Sequence, residues 1–389
     1  MPTEQPSQDS NQQSVQTASE PLTDQQKLLQ ACTNPLPGHG RVGTSMQDQL
    51  TELAASLNET DRADVYGKGE YLAGFEAEVA QLFGHDHGVF MPSGTMAQQI
   101  ALRIWSDRTR NPLIAMHPTS HLETAEQLGY QHLHQLKRVQ FGVPEMLQSR
   151  LLTVQDLEGL KELPATVLLE LPARPLGGQL HSWQDLLAIR EWCDNNGVAL
   201  HMDGARVWSA PTFFDKTLAE IGALFDSVYV SFYKDLGGLC GCMLMGSEDF
   251  IDESKVWQRR HGGNLYTQFP FVVSAKHGLA TRLPQIPKWV EKAQSLAGLM
   301  NSVEGVQTNP EPPQSNIFQL FLRGEPDALL ARHNALAKET GTYLFSGLMP
   351  APIPGYATTE IHCWENALTF DDSKLIEFLQ QLIMLEQGR

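Results

Sequence analysis

The sequence predicts an α/β protein with a mostly parallel sheet, followed by a smaller α+β unit. Three observations support this. Short apolar runs alternate with helix-period stretches from Gly88 to Gly246, the pattern of a parallel sheet covered on both faces. Two of these runs end in charged residues: Val198–Met202 runs into Asp203, and Ser227–Phe232 stops just before Lys234. After Gly246 the rhythm changes to long helical stretches and then to mixed strands and helices.

Taken in order, residues 1–24 form a polar Gln/Ser-rich tail, expected to be disordered or strapped over a partner subunit. Residues 25–63 are an N-terminal segment with helices over Gln25–Ala31 and Met46–Leu57. Between them lies a Pro/Gly-punctuated loop offering Thr33, His39 and Arg41. Residues 64–270 form the large domain. Its first helix carries Leu72, Phe75, Val79, Leu82 and Phe83 on one face. A strand over Gly88–Met91, a turn at Pro92–Thr95 and a helix over Met96–Trp105 follow. Leu113–His117, Leu136–Gly142 and Ala165–Arg174 read as strands, and Leu151–Glu162 as a helix. Ser182–Asn196 reads as a second helix, with Ser182 as N-cap and Gly197 just past its end. Residues 271–389 comprise a helical stretch (Phe271–Gln314) and a small α+β domain. The latter has a strand at Ile317–Leu322, a helix at Pro326–Glu339, a strand pair at Gly341–Phe345 and Glu360–Trp364, and a last helix at Ser373–Leu385.

Composition narrows the partners. With 28 Lys and Arg against 45 Asp and Glu, the formal charge is -17. That disfavours a nucleic-acid or anionic-membrane binder, whose footprint is basic. No apolar run reaches the roughly 18 residues a membrane helix needs. The start of the chain lacks the basic and apolar segments of a secretory signal. The 5 cysteines lack paired disulfide or zinc spacing. A cytoplasmic location and no metal are therefore expected.

The chemistry is expected at the strand ends, since ligands of open α/β sheets bind at the carboxyl ends of parallel strands. A lone lysine between Ser-Phe-Tyr and Asp-Leu-Gly-Gly suits a Schiff-base nucleophile, and Asp203 suits a partner for a cofactor's pyridinium nitrogen. Ser93, Gly94 and Thr95 open a helix after a strand. They fit either a simple cap or a phosphate cradle of free N–H groups and hydroxyls, and the company of Lys234 points to the cradle. His121 lies past a strand end, where an imidazole can stack on a flat ring. No G-x-G-x-x-G opens a helix after a strand, which disfavours a dinucleotide-dependent dehydrogenase.

These motifs together resemble a known family. PSGTMAQQIAL, SHLETAEQLGY, GVALHMDGAR, the lysine of SFYKDLGGL and the earlier DVYGKGEY occur in the order seen in the threonine aldolase/β-eliminating lyases. Those are fold-type I pyridoxal 5'-phosphate (PLP) enzymes of the aspartate aminotransferase-like class. The resemblance implies that Lys234 forms the imine with PLP, that Asp203 pairs with the ring nitrogen and that His121 stacks on the ring. It also implies phosphate contacts from Ser93, Gly94, Thr95 and Ser231, and a carboxylate contact from Arg206. The reaction implied is cleavage of a β-hydroxy-α-amino acid to glycine and an aldehyde, in a homodimer or homotetramer with shared sites. His121, His85 or His87 would be the base. The alternative on the same scaffold is β-elimination or racemisation. Three departures stand out. No arginine occurs in APIPGYATTEIHCW, Glu-Asn-Thr-His-Asn is replaced by Glu170-Leu-Pro-Ala-Arg174, and Ser-Lys-Gly becomes Tyr233-Lys234-Asp235. Arg174 could supply the missing carboxylate contact or a structural ion pair.

Overall fold

The computed structural model describes residues 22–38, 44–139, 141 and 150–384. His39 and Arg41 lie outside them, as does the tail before residue 22. The central sheet has seven strands: β1 (His87–Met91), β2 (Leu113–Met116), β3 (Lys137–Arg138), β4 (Thr166–Glu170), β5 (Ala199–Gly204), β6 (Ser227–Ser231) and β7 (Cys242–Gly246). Their spatial order is β1-β7-β6-β5-β4-β2-β3. All neighbours run parallel except β7, which is antiparallel to both β1 and β6. This reversed strand turns β1 back into line with the rest. The carboxyl ends of β1, β6, β5, β4 and β2 therefore share one edge.

Period-2 alternation along the strands gives the sheet two packed faces. Phe90, Met202, Val228, Val230 and Met243 enter the larger cluster, with the helices Glu70–Leu82, Trp183–Asn196 and Ile286–Asn301. Val89, Met91, Tyr229, Cys242 and Leu244 face the other way, onto the helices Gly94–Thr109 and Glu248–Arg260. Glu170, Asp203 and Tyr229 are register partners across β4, β5 and β6. Tyr229 belongs to the second face, so the two acids in its row point toward the Gly94–Thr109 helix as well.

A second sheet of four antiparallel strands follows: β8 (Val306–Asn309), β9 (Ile317–Arg323), β10 (Met349–Pro350) and β11 (Tyr356–His362), in the order β10-β11-β9-β8. Apolar residues of β9 and β11 join the same large cluster as the central sheet, so one core runs through both sheets.

Several expected boundaries differ. The stretch read as helical over 271–314 contains helices at Phe269–Thr281 and Ile286–Asn301, but then the strand β8. The 341–345 segment does not pair with 360–364. Thr342–Tyr343 pairs in parallel with Asn34–Pro35, and β11 pairs with β9. Periodicity reports only a segment's own faces, so it hid the short β8 and could not name the distant Asn34–Pro35 as the partner of Thr342–Tyr343. The Leu151–Glu162 helix shrinks to Val154–Glu158, and Ala165–Arg174 stops being a strand at Glu170 and ends in a 3-10 turn over Arg174–Leu176. Of Leu136–Gly142 only Lys137–Arg138 joins the ladder, and residues 140 and 142–149 are outside the described set. The Ser182 cap is as expected: its hydroxyl accepts from Asp185 N–H at 3.1 Å, and Gly197 takes φ +63°.

Two helical glycines separate packing from backbone entropy. A Cβ on Gly278 would overlap the Leu236 carbonyl oxygen, close to Lys234, whereas nothing lies within 4 Å of one on Gly298. Gly298→Ala should gain up to about 1 kcal/mol by the helix propensity of alanine. Gly278→Ala should lose about 1–3 kcal/mol because backbone must move. Chemical denaturation of both variants checks this, and shifts of the same sign would refute the packing account.

Candidate active site

One small pocket at the carboxyl edge of the sheet is lined by His121, Thr124, Glu170, Arg174, Asp203, Arg206 and Lys234, among others. Each expected catalytic and substrate residue thus reaches one cavity: His121, Asp203, Lys234, Arg206 and Arg174. Ser93–Thr95 and Ser231 are not on its wall. They follow or end neighbouring strands of the same edge, where Met91 and Ser231 both stand in register with Cys242. His85 and His87 do not come near. His87 is the first residue of β1, at the opposite edge of the sheet, so neither can be the base. Thr33 packs against Gly341, beside the small sheet's unit.

Asp203 is 5% exposed and accepts from the Ala205 N–H at 3.0 Å. Burial raises its carboxyl above the ordinary range, and the Lys234 ammonium opposes that. Lys234 lies in the turn just past β6. Burial lowers its ammonium, Arg206 lowers it further, and Asp203 pulls the other way. A lysine shifted in this direction holds more of the neutral, nucleophilic amine at neutral pH. Glu170 stands beside Asp203 on the next strand and accepts from the His121 N–H at 2.6 Å. Loss of water and the nearby Asp203 push its carboxyl up to about 7.

The lysine turn is tied down from several sides. Gly237 N–H donates to the Lys234 carbonyl at 3.0 Å, and Gly238 N–H to that of Phe232 at 2.7 Å. Asp235, fully buried, accepts at one oxygen from Asn316 Nδ2 at 3.2 Å and from Trp364 Nε1 at 3.0 Å. Its carbonyl accepts from Arg282 Nε at 2.7 Å. The departure at position 235 therefore has a physical reason. A carboxylate here joins the lysine turn to residues flanking β9 and β11.

The residues fit PLP on structural grounds. Ser93 occupies the N-cap of the Gly94–Thr109 helix, yet its side chain makes no capping bond, which leaves the hydroxyl and the first-turn N–H groups for an anion. Gly94 abuts Tyr229 so closely that a Cβ would overlap the phenol oxygen. The turn can approach the row containing Asp203 only as glycine. Arg206 Nε is buried with no hydrogen-bond partner among the described residues. A nucleophilic lysine, a buried carboxylate one strand away and a helix N-terminus are the three contacts PLP's aldehyde, ring nitrogen and phosphate require.

Sequence reasoning missed Glu126, Gln99 and Tyr229. Glu126 Oε1 lies 2.9 Å from His121 Nδ1, and Gln99 Nε2 donates to its other oxygen at 3.3 Å. A carboxylate five residues past a site histidine in SHLETAEQLGY was the available signal. Arg174, expected to contact substrate or to form an ion pair, bonds Glu360 through Nε at 2.9 Å while lining the pocket, and that carboxylate also takes His362 Nε2 at 3.2 Å.

Fold and pocket together define a PLP-dependent enzyme of fold type I. The sequence comparison gives the particular family. Residues 44–322 match the family model described as beta-eliminating lyase, and the chain belongs to that family. It resembles a Listeria monocytogenes structure provisionally described as an L-allo-threonine aldolase, with TM-score 0.86 and 37% identity, covering 92% of this chain and 98% of that one. Low-specificity L-threonine aldolase 1 of Arabidopsis thaliana is 25% identical over 311 residues, 78% of this chain and 86% of that protein. A Cochliobolus carbonum relative named alanine racemase TOXG is 31% identical over 240 residues, 59% of each.

Glu170 should mark the pH dependence of the cofactor-free protein. An unfolded chain ionises it near 4.5, whereas the folded state keeps the proton up to about 7. The folded state binds the extra proton in that window, so this contribution to stability is lost as pH rises through it. Glu170→Gln should flatten the fall in melting temperature between about pH 5 and pH 7. Parallel curves for variant and wild type would show that Glu170 ionises normally.

Proposed function

We propose that this chain is a PLP-dependent carbon–carbon lyase that splits a β-hydroxy-α-amino acid into glycine and an aldehyde. The observation that carries this is the half-buried Lys234 beside the buried Asp203 in one pocket, each favouring the other's charge. When bound, PLP supplies an electron sink that lets a bond at the amino acid's Cα break.

The chain's own residues do the rest. Lys234 offers the amine that attaches the cofactor and yields to the substrate amine. Asp203 keeps the ring nitrogen protonated, which only a charge held in a dry place does well. His121 covers the ring. Ser93, Gly94, Thr95 and Ser231 hold the phosphate. Arg206 grips the substrate carboxylate with its planar fork. Arg174, bonded to Glu360 and lining the same pocket, is the second polar contact for the substrate. Cleavage needs the β-hydroxyl proton removed, and His121 is the imidazole in the pocket to take it.

In this reading residues 64–270 form the cofactor domain, preceded by a polar tail and an N-terminal segment, and residues 271–389 the helical connection and small domain. The enzyme works as a cytoplasmic homodimer or homotetramer. Exposed Val65, Tyr66 and Tyr266, with the two tyrosine rings 5.4 Å apart, support a subunit contact. A monomer in sedimentation would remove the oligomer from the proposal. Among the described residues no helix is long and apolar enough to cross a membrane.

Racemisation is a second reading, favoured by the racemase relative and by the loss of Glu-Asn-Thr-His-Asn after β4. Incubation with L-threonine, L-allo-threonine and L-phenylserine separates the two. Glycine plus the matching aldehyde is expected. Ammonia with a keto acid means elimination, and the D-enantiomer of a test amino acid such as alanine means racemisation. Lys234→Ala should lose the visible absorbance of the bound cofactor and all turnover. Asp203→Ala should keep some cofactor and lose turnover by at least about 100-fold. Turnover at the wild-type rate would mean the ring nitrogen is held elsewhere.

A further inference from the structure

His121 is held by a carboxylate that the reaction scheme above does not use. The Glu126 side chain is 3% exposed and 2.9 Å from His121 Nδ1, while the imidazole is 44% exposed and lines the pocket. The carboxylate is itself fixed. Gln99 Nε2 donates to its second oxygen at 3.3 Å. Gln99 belongs to the Gly94–Thr109 helix, whose first turn is the phosphate cradle. Gly129 lies against Gln99 so tightly that a Cβ would overlap the Gln99 amide. The His121 backbone is pinned separately, through its N–H, to Glu170. One helix thus carries the cradle at its first turn and, about a turn further on, the amide that aims Glu126.

We propose that Glu126 is a positioning residue that sets the tautomer and proton affinity of His121, so that Nδ1 carries the hydrogen and Nε2 is left as the ring's proton acceptor. The argument is one of donors and acceptors. With Gln99 Nε2 donating to one oxygen, the Glu126 carboxylate serves as an acceptor pair, and in this proposal Nδ1 donates across the 2.9 Å contact to the other oxygen. A neutral imidazole has one N–H, so Nε2 then holds the lone pair. The bond also fixes the ring plane, which a histidine covering a flat cofactor needs.

The charges facing His121 act in opposite senses. Glu126 and Asp203 favour the imidazolium, burial and Lys234 oppose it, and the net direction is upward from the ordinary histidine value. Glu170 also faces the ring electrostatically, and Arg206 lines the same pocket. Removing the Glu126 charge should let the imidazole release its proton at lower pH.

The consequence for turnover rests on the lyase reading, but the tautomer does not. The test therefore begins on cofactor-free protein. Long-range proton–nitrogen spectra of 15N-labelled chain should show wild-type His121 with Nδ1 protonated and Nε2 bare above its titration midpoint. Glu126→Gln keeps the volume and removes the charge. It should lower the midpoint by about one pH unit and weaken the preference for that tautomer. In the PLP-loaded enzyme the acid limb of kcat/KM should move to lower pH. There kcat should fall by about 10-fold or more with KM little changed, a fraction of what a positioned base supplies. A wild-type His121 protonated at Nε2 overturns the proposal even if Glu126→Gln does not fold. An unchanged midpoint in a folded Glu126→Gln overturns it too. If the spectra behave as expected and the enzyme makes no glycine, the lyase reading fails and the positioning role stands.

Discussion

The site depends on one electrostatic constraint: two carboxylates and a lysine withdrawn from water at the end of three neighbouring strands. Glu170 and Asp203 are fixed side by side by the β4–β5 register, and Lys234 follows β6. Burial destabilises each charged form, the two carboxylates oppose one another, and the Lys234 ammonium offsets part of that cost. In the proposed function, a cofactor with a cationic ring nitrogen and an aldehyde would answer this strain, with positive charge set against the acids and the neutral amine put to use. The polar cluster is thus costly to the fold alone and favourable once loaded, as expected for a site shaped by its ligand rather than by stability.

The fold's main features were legible in the sequence because they are local. The strand–turn–helix at Ser93–Thr95, the capped helix after Ser182 and the charged ends of β5 and β6 each arise from residues within a dozen positions. Alternation was readable too, although it concealed that β7 runs against its neighbours. Antiparallel and parallel buried strands have the same apolar composition, and only the connection between them differs. The lysine was readable because nothing in an apolar strand end explains it otherwise.

The rest of the site depends on contacts between distant segments. Gln99 meets Glu126 across 27 positions, and Asp235 meets Trp364 across 129. No periodicity in either partner announces the other. Asp235 is the instructive case. Taken alone it is an unusual neighbour for the lysine, yet in place it is the post to which Asn316 and Trp364 attach the Lys234 turn. Arg174 is similar. Its position after β4 suggests a ligand contact, and its observed partner, Glu360, sits on a strand that the sequence could not bring near it.

The pairing of Asn34–Pro35 with Thr342–Tyr343 has a consequence for the order of assembly. Residues 308 apart in sequence share a hydrogen bond there, Asn34 Nδ2 to Thr342 Oγ1 at 3.4 Å. Synthesis proceeds from the amino terminus, so this ladder must wait until most of the polypeptide has left the ribosome. The Asn34–Pro35 segment therefore lacks its Thr342–Tyr343 partner while the central strands emerge. Closure of this region is a late step, however quickly the central strands have already formed.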